Sequence, residues 1–329
     1  MLNKEKNIFF ILLLLTLSSC SDKYSRLNEV KSQEDRTISN NKAIDSFPSK
    51  VNSSSLTIDN KNEPKQYAVS IYDTPVLNSP DFNRIYGGKD GMSLAFNKNS
   101  LVKELEYVAF PGSVFEIKEE YKIEDHSIYK VKSDEYDIVL NGTELFIDSR
   151  FVELKDSKPE RKIISKPSKE QIYKYFDECE NVDYVWGANN INGVDKMLEF
   201  YKPNGNIKPK IYNHWCMKGL DCSGLIYEAT NGYTPRNTHQ MVSYGEGVNI
   251  EGKSVYEIAE LLEPLDMIVW KGHVIYVYDK NTTIQSAHSE GGVVKKDLVS
   301  TLSKIMQTRN PVDEWSDDRG KIFVVRRWW

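Results

Sequence analysis

The apolar positions of this chain change period twice, and each change marks a different kind of structure. From Gln66 to about Leu154, β-branched and aromatic residues come in short runs: Tyr67 to Tyr72, Tyr107 to Phe110, Val114 to Lys118, Ser127 to Val131 and Leu145 to Phe151. Pro111-Gly112, Lys132-Ser133-Asp134 and Asn141-Gly142 separate them, a punctuation that predicts a small all-β barrel. A charged connector from Lys155 to Lys166 ends at Pro167. The period then becomes helical. Ser168 with Gln171 forms a capping box, and Ile172, Tyr175 and Phe176 supply one apolar stripe. Ser254 and Glu257 repeat the box ahead of a helix to about Leu262. Beyond it the pattern returns to strand in Met267 to Trp270, His273 to Tyr278 and Thr283 to Ser286, the last two joined by a hairpin at Asp279-Lys280-Asn281.

Chemistry concentrates in the stretch Gly219 to Thr230. Leu225, Ile226 and Ala229 recur at helical spacing, so Cys222, between Asp221 and Ser223, falls in a helix's first turn. Unpaired N–H groups and the positive end of the helix dipole favour thiolate there, and thiolate is the nucleophile. The alternative is a cysteine that packs as a small hydrophobe. His273, between Gly272 and the apolar pair Val274-Ile275, is placed to take the thiol's proton and return one to a leaving amine. Otherwise it is a core histidine with its polar atoms satisfied.

The start of the chain reads as an address. Lys4 and Lys6 precede an apolar run from Ile8 to Leu17, too short to span a bilayer but suited to a secretory signal. Leu17-Ser18-Ser19-Cys20 resembles a bacterial lipobox, which implies cleavage before Cys20 and lipid on its sulfur; the other reading is an ordinary signal peptide with a chance cysteine. Residues 20–65, polar and poor in large apolar side chains, are then a flexible tether. The 43 Lys and Arg against 48 Asp and Glu are mixed along the chain, and a net charge of −5 argues against nucleic acid as partner. Of the four cysteines, Cys179 and Cys216 remain for either a disulfide or two buried thiols. The cysteines and histidines lack the paired spacings of structural zinc sites, so neither metal nor cofactor is expected.

In order along the chain, Tyr184-Val185-Trp186-Gly187, Asp221-Cys222-Ser223-Gly224, Pro235-Arg236-Asn237-Thr238, Leu262 to Ile268 and His273-Val274-Ile275-Tyr276-Val277 resemble the motifs of the NlpC-type cell-wall cysteine peptidases. The likeness covers residues 166–329, while Pro111 to Ile117 followed by Ile128 to Val131 resembles bacterial SH3-like domains over 66–155. It implies an α+β, papain-like catalytic domain, with an antiparallel sheet packed on the nucleophile helix, preceded by a small all-β SH3-like barrel. It also implies an endopeptidase that hydrolyses the γ-D-glutamyl to diamino acid bond of peptidoglycan stem peptides or muropeptides, with Cys222 as nucleophile and His273 as base. Asp221 and Ser223 would bind an L-Ala amine or simply cap the helix, and Tyr184, Trp186 and Arg236 would line the substrate site. The family's third polar residue lies twelve positions after the base, where this chain has Gln285; His288 takes its place if the hairpin shifts.

Other departures shape the expectation. Leu265 stands where the family has Gly, so a left-handed turn is not expected there. The loop between Gly187 and Asp221 is long and either walls the cleft or lies on the surface. His214 and His239 are expected to be solvated or structural. Residues 1–19 and Cys20 place the protein in a bacterial cell envelope, lipid-anchored to a membrane; its oligomeric state is not legible. Two other activities compete: acyl transfer from Cys222 to an acceptor other than water, and a catalytically dead lipoprotein that holds peptidoglycan.

Overall fold

A computed structural model of the chain describes residues 66–136, 142–160 and 163–329. Cys20 and the expected signal and tether segments lie outside the described residues. The N-terminal half is built from β1 (Tyr67–Ser70), β2 (Thr74–Leu77), α1 (Phe82–Ile85), β3 (Tyr86–Gly87), β4 (Ser93–Leu94), β5 (Leu105–Ala109), β6 (Val114–Lys122), β7 (Ser127–Ser133), β8 (Leu145–Asp148) and β9 (Val152–Lys155). A seven-stranded sheet takes the order β5-β2-β8-β7-β6-β1-β9, with antiparallel neighbours. The pattern of apolar runs missed β2 because Thr74-Pro75-Val76-Leu77 is buried on both faces and does not alternate.

The second half comprises α2 (Lys169–Glu178), β10 (Asn189–Asn190), α3 (Lys196–Phe200), α4 (Pro209–Trp215), β11 (Gly219–Leu220), α5 (Cys222–Ala229), α6 (Thr238–Met241), β12 (Glu246–Gly247), α7 (Val255–Leu261), β13 (Met267–Trp270), β14 (His273–Val277), β15 (Thr282–Ala287), β16 (Gly292–Asp297), α8 (Leu298–Met306), β17 (Asn310–Pro311) and β18 (Ile322–Arg327). Both expected capping boxes form, Ser168 with Gln171 at α2 and Ser254 with Glu257 at α7. The sheet runs β12-β18-β13-β14-β15-β16 with antiparallel pairing, and β17 joins β18 in parallel. It is apolar on both faces. Met267, Val269, Val274, Tyr276 and Val324 pack with Ile172 and Phe176 of α2 and Leu225 and Ile226 of α5. The alternate residues Ile268, Ile275, Val277, Phe323 and Val325 pack with Ile258 of α7 and Leu298 and Leu302 of α8. The result is a mixed α/β arrangement with α5 laid on one face of the sheet.

The stretch after Gly187 is neither a plain cleft wall nor a surface loop. Val194, Met197, Tyr201, Trp215 and Met217 are buried in the same core as the N-terminal sheet, so this insertion fastens the two halves together. Gly187 (φ 71) allows it, because a Cβ there would meet the Leu105 backbone.

Leu265 overturns its expectation. It adopts a left-handed conformation, φ 75. Its N–H donates to Val277 O at 2.8 Å, its carbonyl accepts from Trp328 Nε1 at 2.9 Å, and its side chain is buried. These contacts offset the roughly 1–2 kcal/mol that a Cβ costs in this region.

Candidate active site

Asp221 caps α5: its backbone is extended (φ −91, ψ −178) and its Oδ1 accepts from Gly224 N at 2.6 Å. Gly224 is demanded by space, since a Cβ there would run into Ala188 O. Behind the cap lies Arg236, 1% exposed. Its two terminal nitrogens donate to the two Asp221 oxygens at 3.1 and 2.9 Å, a bidentate pair. Its remaining donors go to Ser223 Oγ (2.9 Å), Gly187 O (2.8 Å) and Asn189 Oδ1 (2.9 Å). Arg236 borders the cleft, but every N–H of its guanidinium is spent on protein and none is left for a substrate. Ser223 is likewise tied, donating to Asp221 Oδ1 at 3.2 Å.

Cys222 opens α5 at the floor of the cleft, 7% exposed. Its carbonyl accepts from Tyr276 Oη of β14 at 3.0 Å, which pins the helix start to the sheet. The backbone N–H groups of Ser223 and of Val274, the residue after His273, act on the thiol in favour of its ionised form. His273 Nε2 lies 2.7 Å from Gln285 Oε1. An amide oxygen only accepts, so Nε2 carries the proton and Nδ1 is the free base. His288 is elsewhere: it is exposed, and its ring meets Tyr184 edge-on at 5.6 Å. Among the described residues no hydrogen bond joins His273 to Cys222.

The protonation states depart from the helix-dipole expectation. Burial pushes the Cys222 thiol up to about 12, and neighbouring Asp221 adds to it; the N–H groups of Val274 and Ser223 and the charge of Arg236 oppose this less strongly. Burial also holds His273 below the ordinary 6.5, against the opposing pull of Gln285. The resting pair is therefore neutral thiol and neutral imidazole.

The cleft, about 260 Å³, is lined by Tyr184, Trp186, Asp221, Cys222, Ser223 and Arg236, as the motifs suggest, and by Thr238, His239 and Gly272. Its far wall comes from the N-terminal half: Glu106 of β5, Tyr136 and Thr143. Tyr136 Oη donates to Glu106 Oε2 at 2.9 Å, and Asn78 holds Oε1 at 2.6 Å. Lys103, just before β5, lies on the Trp186 ring, 2.7 Å from its centroid. No motif flagged Lys103, Glu106 or Tyr136, because they belong to a part of the chain read only for its strand pattern. His239, expected to be solvated or structural, is exposed at the cleft edge. Cys179 and Cys216 are buried free thiols, which closes the disulfide alternative. Glu228, farther along α5, accepts from Ile191 N at 3.1 Å, and burial pushes its carboxyl up to about 7.

No family model and no curated protein matches the chain. Among solved structures it is similar to an NlpC/P60 family protein from Bacillus cereus ATCC 10987, at 14% identity over 80% of this chain and 64% of that one, TM-score 0.30. It is similar to the peptidoglycan hydrolase RipB from Mycobacterium tuberculosis at 18% identity over 48% of this chain and 63% of that one, TM-score 0.29. A third likeness is to NlpC1 from Trichomonas vaginalis, 12% identical over 83% of this chain and 96% of that one, TM-score 0.30. The chain spans just under two thirds of the length of the first two.

Proposed function

We propose that this protein is a cysteine endopeptidase of peptidoglycan stem peptides, cutting between γ-D-glutamate and the diamino acid. The observation that carries the reading is a cysteine at a helix start, lining a cleft, with His273 on the adjoining strand held through Nε2 by Gln285. Cys222 Sγ attacks the γ-carbonyl carbon while Nδ1 of His273 takes the thiol proton, so a C–S bond forms as an imidazolium appears. The oxyanion is held by N–H groups at the start of α5. Collapse breaks the C–N bond, the imidazolium gives its proton to the leaving amine, and water, deprotonated by His273, hydrolyses the thioester. Because the resting pair is neutral, the thiol proton passes to Nδ1 as Sγ attacks. In the same reading the 67–155 sheet is an SH3-like module, and lipid on Cys20 ties the protein to a bacterial membrane in the cell envelope.

The test is mass spectrometry of L-Ala-γ-D-Glu-diaminopimelate and of muropeptides after incubation with the protein and with Cys222→Ala. Release of free diaminopimelate from the tripeptide, lost in the variant, supports the reading. Unchanged substrates under reducing conditions overturn it and leave a wall-binding protein.

A further inference from the structure

Lys103 has charge and position and, among the described residues, no counter-ion. Its ammonium sits over Trp186, a residue of the cleft wall, and its neighbours, the carboxylates of Asp221 and Glu106 and the thiol of Cys222, line the same cleft. The two carboxylates are already engaged, Asp221 by Arg236 and the helix cap, Glu106 by Asn78 and Tyr136. Among the described residues, Lys103 Nζ makes neither a hydrogen bond nor an ion pair. A half-buried ammonium that rests on an aromatic face without a counter-ion carries a desolvation cost. Burial accordingly lowers its pKa to about 8, against the attraction of Asp221 and Glu106. A ligand anion would offset that cost.

We propose that Lys103 is the specificity residue for a carboxylate on the acyl side of the scissile bond, which in a γ-glutamyl substrate is the free α-carboxylate. That group is separated from the carbon Cys222 attacks by a short methylene chain, a reach that suits an ammonium held over Trp186, a residue that lines the cleft with Cys222. A carboxamide in its place offers no charge to pair. The protein therefore selects stem peptides carrying glutamate over those carrying isoglutamine. This rests on the stem-peptide reading of the site.

The test compares kcat and KM of the full chain on L-Ala-γ-D-Glu-diaminopimelate and on the same tripeptide with the α-carboxylate as carboxamide. It is run for wild type, Lys103→Met and Lys103→Arg. Wild type should favour the carboxylate by about tenfold or more in kcat/KM, mainly through KM, as a charge-assisted contact gives. Lys103→Met should lose that preference by weakening only the carboxylate peptide, and Lys103→Arg should keep part of it. Since the ammonium loses its charge as pH rises, the wild-type preference should shrink through pH of about 8. An unchanged ratio in Lys103→Met overturns the assignment. If that variant fails to fold, a wild-type preference that is absent, or constant across this pH range, overturns it alone. Cleavage of neither peptide by wild type overturns the stem-peptide reading and takes the assignment with it.

Discussion

His273 Nε2 stands 2.7 Å from Gln285 Oε1, and the contact decides which imidazole nitrogen is left to act as base. Gln285→Ala should free the ring to turn and lower kcat about 10²-fold, the scale of a small misplacement of a reacting group, with little change in KM. His288→Ala, which removes an exposed ring away from His273, should leave kcat near wild type. Steady-state kinetics on the tripeptide check both. Equal losses in the two variants would dissolve the distinction.

The neutral resting pair sets the pH behaviour. The thiol's proton is held more tightly than in a free cysteine, so thiolate grows only as pH climbs toward about 12. The imidazole's proton is held less tightly, so His273 is already an unprotonated base at 6.5. Iodoacetamide should alkylate Cys222 slowly at neutral pH and faster with each rise in pH, and the acid limb of kcat/KM should fall below pH 6.5. An alkylation plateau in acid would instead reveal a preformed thiolate–imidazolium pair.

Asp221 and Arg236 stabilise each other only together. Asp221→Ala leaves a guanidinium buried without its carboxylate and should cost about 3–5 kcal/mol. It also uncaps α5, so activity and stability should fall together. Urea denaturation measures the loss. A midpoint unchanged from wild type would mean that water reaches Arg236 and replaces the pair.

Glu228 predicts a stability that declines with pH. Its folded pKa is raised from 4.5 to about 7, so the folded state binds the proton more tightly than the unfolded chain. Its penalty is absent below 4.5, grows as pH rises toward 7, and is constant above. Glu228→Gln keeps an acceptor for Ile191 N and should raise stability by about 3 kcal/mol at pH 8, with little effect at pH 4. Denaturation curves at the two pH values read the difference directly.

Much of the local structure was legible because local rules dominate it. The capping boxes at Ser168 and Ser254, the helix opening at Cys222 and the strand at His273 each follow from a few neighbouring residues. What was hidden depends on residues far apart in the chain. Glu106 and Tyr136 reach the cleft only because the insertion after Gly187 packs Trp215 and Met217 into the N-terminal core. Leu265 is left-handed because Val277 and Trp328 hold its backbone, and neither contact is visible in the residues beside it. The thiol's raised pKa comes from burial, which a helix-dipole reading leaves out.

Asn189 does the work of a strand with one side chain. Its amide accepts from Val108 N at 3.1 Å and donates to Val108 O at 2.9 Å, while the same Oδ1 receives Arg236 Nε. A β5 residue, a buried cation and the carboxylate that caps α5 thus form one continuous chain of hydrogen bonds. The consequence concerns time. While the N-terminal sheet is unformed, Asn189 lacks its ladder and Arg236 one of its anchors, so a newly made chain holds α5 without a set cap. In refolding from urea, recovery of peptide cleavage should lag or match the return of the sheet's tyrosine fluorescence. Activity that returned first would uncouple the two. On this view the cleft is set only once both halves have folded, because the cap of α5 is anchored in a strand of the other half.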